Sequence, residues 1–200
     1  SIAVGLLVTA GTALIAIIVG TLAGYYGGAA DAVVSRIADM VFALPFLLGA
    51  IVFLSVIQNR GIFQVAFVLV VFSWPIMTRI MRSSVLAAKN SDYVSAAKVL
   101  GAGDVRIMRK HILPNALAPL VVYATVFVGL VIAAEASLTF LGVGLQLPSI
   151  SWGLQISNAH TRILTDPHLL FFPGVFIALT VFAFVLMGDA LRDGLALLLG

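Results

Sequence analysis

Cysteine is absent from this 200-residue sequence, which excludes a disulfide framework and any cysteine-based metal site. Charge is scarce as well. Asp, Glu, Lys and Arg together make up 10% of positions, where a soluble domain carries about 25%, so too few polar groups exist to cover a water-facing surface. No glycine is followed by lysine, so these residues cannot form the Gly-x-x-x-x-Gly-Lys-Ser/Thr phosphate loop. What is abundant is apolar: 62% of residues, with a mean hydropathy of +1.19. The net charge of +3 would hint at nucleic acid in a soluble protein. In a chain this apolar, the placement of the charges matters more than their sum, and a nucleic-acid partner is not indicated. The solvent for such a surface is lipid, and the fold class is an all-α polytopic transmembrane helix bundle.

A bilayer core of about 30 Å needs roughly 20 apolar helical residues. Charge-free windows of that length occur five times: in the first 30 residues (apolar to about Gly24), between Asp39 and Arg60, between Arg60 and Arg79, from Lys110 to Glu135 with an apolar face continuing to Leu141, and between Asp166 and Asp189. The opening run is too long for a signal-peptide core and reads as a span. Residues 142–167 are also nearly uncharged, but Pro148, Ser149, Ser151, Asn158 and Asp166 mark them as a loop. Gly20, Gly24 and Gly28 recur at every fourth position, the spacing that lets helices approach closely in lipid. Pro45 and Pro75 lie inside apolar windows and are expected to kink their helices.

Cytoplasmic connections are enriched in Lys and Arg. Arg79, Arg82, Lys89, Lys98, Arg106, Arg109 and Lys110 all lie in one connection, between the third and fourth spans. Alternating spans put Arg36 and Arg192 on that side too, leaving only Arg60 and Arg162 opposite. The segment from Arg79 to His111 is therefore expected inside, with 142–167 outside and the C-terminal end inside. Five spans then place the first residue outside with no leader to carry it there. That predicts at least one preceding helix.

The cytoplasmic stretch from Ser91 to Pro114 is the most patterned part of the chain. Ser91 or Asp92 can cap a helix over 93–100, which would expose Tyr93, Val94, Ala96, Ala97 and Leu100. Gly101 can take the left-handed conformation that ends it. Asp104 offers a second cap, and a basic helix is expected from Val105 until Pro114 breaks it.

Charge alone would make this a basic connecting loop. The residue order says more. Ala96-Ala97, then Gly101, then Leu113-Pro114 resemble the EAA loop of ABC-importer permeases, whose pattern is Glu-Ala-Ala, three residues, Gly, nine residues, Ile-x-Leu-Pro. Ser95 stands where that pattern has Glu, and His111 where it has Ile. These departures resemble the dipeptide, oligopeptide and nickel branch, which AAKVLGA at 96–102 and HILPN at 111–115 match. The likeness extends to Ala23–Gly28, Ala134–Gly142, Pro148 with Trp152-Gly153, Phe172–Gly174 and Gly188–Asp193, in order and on the sides the charge count chose independently.

The resemblance implies a MetI-like permease subunit of an ATP-driven importer, most readily for di- or oligopeptides, in a bacterial or archaeal (inner) cell membrane. It implies a homologous second permease, two cytoplasmic ATPase subunits that hold ATP and Mg, and an external solute-binding protein. This chain, a single permease domain over 1–200, would itself bind no cofactor and no metal and catalyse nothing. The 91–114 segment would dock an ATPase through Tyr93, Val94, Ala96, Ala97, Leu100, Gly101 and Ala102, with His111, Leu113 and Pro114 at its end. Two further residues stand out. Glu135 is the one ionisable group inside a span, either a pathway or gating residue or a packed, snorkelling one. Trp152, in the 142–167 loop, is a candidate for external docking, the alternative being a loop that only seals the outer helix ends. His160 and His168 lack the company a metal site needs. A nickel or other small-solute importer of the same family is the alternative function. An ion-coupled carrier would bury several ionisable groups, and a scaffold would need no structured docking segment.

Overall fold

Charge-free sequence in α1 (Ile2–Tyr26) forms one helix, widened to a π turn at Ala16–Gly20. The computed structural model describes the backbone of residues 1–199 and the side chains of residues 1–194; among them are helices and no strand. Gly20 and Gly24 put α1 directly on a second long helix, α4 (Ile62–Lys89). A Cβ at Gly20 would lie 2.8 Å from Met81 Cβ, and one at Gly24 would lie 2.9 Å from the Arg82 carbonyl oxygen. Gly28 does not continue this packing. With φ of +53°, next to Gly27 at +66°, it forms the turn out of α1 and touches nothing.

The second expected span is broken. The helices α2 (Gly28–Ala43) and α3 (Phe46–Val56) meet at 83°. Pro45 has no amide hydrogen, and Leu44 before it is extended, with ψ of 125°, as a residue preceding proline prefers. The 11 residues of α3 reach about 16 Å, short of a bilayer core. The window between Asp39 and Arg60 therefore crosses only as part of this bent pair. By contrast Pro75 sits inside the 28 residues of α4 without ending it.

After the short α5 (Asp92–Val99), the helix α6 (Asp104–Phe140) runs 37 residues. The expected break at Pro114 does not occur. A π turn at Met108–Ile112 opens the hydrogen-bond ladder where the proline ring would clash, and Pro114 enters the first turn beyond it. The 142–167 segment is more ordered than a loop. It contains α7 (Trp152–Ala159), capped by the Ser151 hydroxyl accepting from Leu154 N at 3.1 Å. Last comes α8 (His168–Leu199).

Polar contacts sort the connections to two ends. At one, Gln146 N donates to the Arg60 carbonyl (3.1 Å) and Trp152 N to the Ser1 hydroxyl (3.1 Å). At the other, Tyr25 meets Asp104 and Lys89. This is the alternation that the basic residues implied. The core lies around α4, where Leu69, Met77, Met81 and Val85 are fully buried with Leu54, Ile107, Ile112 and Leu120. In contrast only 6% of the apolar window of α8 is buried, which leaves that helix for lipid or another helix.

Candidate functional site

The segment between α4 and α6 is a compact projection at the basic end. Gly101 has φ of +81° and closes α5 as a Schellman turn. Ala102 N donates to the Ala97 carbonyl (3.0 Å) and Gly101 N to the Lys98 carbonyl (2.9 Å). A Cβ there would meet nothing within 4 Å, so only backbone conformation asks for glycine.

The exposed face differs from the expected one. Val94 is fully buried and Ala97 is 8% exposed, while Tyr93 is exposed and Val99 and Leu100 are 88% and 86% exposed. An eight-residue helix that projects from a bundle must seat one stripe on it, and positions three apart share a face. Val94 and Ala97 are that stripe; Val94 joins the core cluster that holds Ile107 and Ile112, and Ala102 is half-buried against it. Ala96, Leu100 and Tyr93 remain outside with Val99, which sequence reasoning passed over. Val99 and Leu100 form an exposed apolar pair in a basic segment, the kind of surface that marks an interaction site.

Both expected caps are occupied elsewhere. Ser91 stands at the N-cap position, but its hydroxyl donates back to the Ala88 carbonyl at 2.6 Å. The Asp104 carboxylate accepts from the Tyr25 hydroxyl at 2.7 Å. At the segment's end, Pro114 is exposed and His111 and Leu113 are half-buried. Asn115 Nδ2 donates to the His111 carbonyl (2.9 Å) and to the Tyr93 hydroxyl (3.3 Å). The HILPN end is thereby tied to α5. Asn115 was legible only as a motif letter.

At the opposite end Glu135 is fully buried. Its Oε1 accepts from the Thr139 hydroxyl at 2.7 Å, and Thr139 in turn accepts from Leu145 N at 3.1 Å. Oε2 has no hydrogen-bond partner among the described residues and lies 4.0 Å from the main-chain nitrogen of Ser1. Trp152 turns inward, stacked on Phe176 of α8 with centroids 6.3 Å apart. A Cβ on the next residue, Gly153, would lie 2.9 Å from the Ala136 carbonyl oxygen. The 142–167 segment therefore folds back on α6 and α8. His160 in it and His168 at the start of α8 do not converge with other ligands: among the described residues no three His, Asp or Glu groups could hold a metal.

One feature had no sequence signal. The break at Pro45 opens a cavity of about 330 Å³ between α2, α3, α4 and α6. Its walls include the rings of Phe42, Phe46, Phe72, Tyr123 and Phe127, with Ser73 among its few polar groups.

A bundle of long apolar helices with a short structured projection at its basic end defines a polytopic membrane protein. Residues 16–197 match the family described as binding-protein-dependent transport system inner membrane component, and the chain belongs to it. Over 183 residues it is 42% identical to a dipeptide transport system permease protein of Bacillus subtilis (strain 168), covering 91% of this chain and 57% of that one. An oligopeptide transport system permease protein of the same organism is 40% identical, over 91% of this chain and 59% of the relative. A glutathione transport system permease protein of Pectobacterium atrosepticum is 40% identical, over 98% and 62%. The chain thus spans about three fifths of the length of these curated relatives. Among solved structures, a methionine ABC transporter in inward-facing conformations superposes with a TM-score of 0.68 at 21% identity, covering 96% of this chain and 92% of that one. An amino acid ABC transporter with histidines gives 0.67 at 16%, covering 96% and 87%. At these identities the likeness is one of fold.

Proposed function

We propose that this chain is a permease subunit of an ATP-driven importer of short peptides, which converts ATPase movement into alternating exposure of a path across the membrane. The exposed Val99–Leu100 pair on a helix closed by Gly101 carries the reading: it is an apolar docking surface on the basic side of a membrane bundle. ATP and Mg belong to two ATPase subunits seated against α5. A homologous second permease faces the cavity at Pro45, which is this chain's share of the path. An external solute-binding protein is received at the end bearing Trp152. Glu135, buried and bonded to Thr139, holds the outer end of α6 to the following segment, next to any gate there. Peptide is the favoured solute because the dipeptide, oligopeptide and glutathione relatives are all named for short peptides. The cavity's aromatic walls also suit side chains better than a metal ion. The membrane is the cell membrane of a bacterium or archaeon.

The test is uptake by the full-length permease, reconstituted with its second permease, ATPases and binding protein in vesicles. ATP-dependent accumulation of labelled dipeptide is expected. Accumulation of nickel ions without peptide would overturn the solute, and uptake driven by an ion gradient without ATP would overturn the class.

A further inference from the structure

The docking segment leaves α4 at Lys89 and rejoins the bundle at Asp104, and both ends are held by one residue of α1. Tyr25 is 5% exposed. Its hydroxyl donates to Asp104 Oδ1 at 2.7 Å, across 79 positions of sequence. Its carbonyl oxygen accepts from the Lys89 ammonium, which also lies 5.5 Å from the centroid of the Tyr25 ring. On its other side the ring meets Tyr26 edge to face. One residue earlier, Gly24 locks α1 against the Arg82 carbonyl and Val85 of α4, and two residues after, Gly27 and Gly28 turn the chain away at positive φ.

We infer that Tyr25 is the positioning residue that makes the docking segment move as one body with α1, α4 and α6. This rests on the proposed role of α5 in receiving ATPase movement. The physical argument concerns stiffness. A short helix on two flexible strands would absorb a push from below by swinging. Here the entry is bonded to Tyr25 through Lys89 and the exit through Asp104. Val94, Ala97 and Ile107 fill the space between with buried side chains. Displacement of α5 therefore reaches α1 and α4 through Lys89 and reaches α6 through Asp104, together. Among the described residues the hydroxyl of Tyr25 makes the one side-chain hydrogen bond between α1 and α6, and the Asn115–Tyr93 bond ties α5 to α6 further along.

Tyr25→Phe removes that hydroxyl and leaves the ring, its burial, the lysine contact and the carbonyl bond intact. In the reconstituted full-length importer, Tyr25→Phe is expected to retain the ATPase subunits and hydrolyse ATP while moving about tenfold less solute per ATP, the scale of one hydrogen bond to a charged group. Asp104→Ala should match it, the double variant should be no worse than either single one, and Asp104→Asn, which keeps an accepting oxygen, should restore coupling. A purely structural role would lower assembly and hydrolysis along with transport, and Asp104→Asn would not separate them. Tyr25→Phe with parental solute per ATP, or losses that add in the double variant, would overturn the inference and leave the importer reading standing. A parent permease that binds no ATPase would overturn both.

Discussion

Arg82 holds Asp31 with two guanidinium nitrogens, Nε on Oδ1 and Nη2 on Oδ2, the latter at 2.6 Å. The contact joins the start of α2 to the basic end of α4, and Ser35 adds a bond to the same carboxylate at 3.5 Å. A second pair, Arg79 to Asp39 at 2.6 Å, lies further along α2. The two differ in exposure. Side chains of the first pair are 35% and 24% exposed, and those of the second 54% and 63%. A forked, partly buried pair is worth more than an open one. Double-mutant cycles on unfolding in detergent should give a coupling of about 1–2 kcal/mol for Asp31 with Arg82, and no more than about 0.5 kcal/mol for Asp39 with Arg79. Equal couplings would mean that the fork contributes nothing.

Gly24 tests the packing of α1 on α4. A Cβ would meet the Arg82 carbonyl oxygen and Val85 Cβ at 2.9 Å, and backbone cannot step aside as a side-chain tip can. Gly24→Val should destabilise the bundle by about 1–3 kcal/mol, seen as an earlier thermal transition. Gly174→Val, where a Cβ meets nothing, serves as the control and should shift little.

These two sites show what was readable in sequence. Four long apolar helices, the bent pair between them and the close packing at Gly20 and Gly24 followed from apolar length and spacing, because each depends on the solvent and on near neighbours in the chain. Gly101 was legible for the same reason, since its positive φ is required locally. The face of α5 was not. Val94 is buried in the cluster that holds Ile107 and Ile112, and which stripe an eight-residue helix seats is decided by what it lands on. Proline at 45 announced a disruption but could not state an 83° turn or the cavity it opens. The caps expected from Ser91 and Asp104 failed because other partners claimed them. Tyr25 stood in the Ala23–Gly28 likeness, but nothing in that pattern pointed to Asp104, 79 positions away.

Orientation can be checked directly, because the sequence has no cysteine of its own. Asn90 is exposed beside α5, and Leu164, beyond α7, is 96% exposed. Ser151 is a poor probe, buried and engaged in capping α7. Asn90→Cys in sealed right-side-out vesicles should resist a membrane-impermeant thiol reagent until the membrane is opened. Leu164→Cys should react at once. Reaction of both from one side would refute the topology.

Trp152 separates sealing from docking at the outer end. Its half-buried ring lies on the exposed Phe176 with planes 7° apart, so Trp152→Ala removes a stacking contact as well as any surface for a partner. Trp152→Phe keeps a stacking ring. If the residue only seals, alanine lowers thermal stability, phenylalanine restores it, and stimulation of ATP hydrolysis by the solute-binding protein follows the amount of folded complex. The docking proposal expects that stimulation to fall at least about threefold per folded complex, a modest interface loss. Unchanged stimulation per folded complex would remove Trp152 from the docking surface.

Gly101 is where the coupling role can be separated from the local backbone. A side chain there enters open space, so Gly101→Asp creates no clash inside the chain. Its conformational cost at φ of +81° is about 1–2 kcal/mol, too little to prevent the spans from inserting. The carboxylate would, however, stand next to Leu100 and Val99, on the surface that an ATPase must cover. Burying an unpaired charge there costs several kcal/mol. Gly101→Asn supplies the comparison, since asparagine has nearly the same shape, tolerates the left-handed region and carries no charge. The expected result is that both variants insert, that the asparagine variant copurifies with the ATPase and supports uptake, and that the aspartate variant loses both. Leu100→Asp should behave like the aspartate variant, because it sets the same charge on the same apolar surface. An aspartate at 101 that retains the ATPase and transports normally would leave α5 as a basic connecting turn, and the importer reading would lose the observation that carries it.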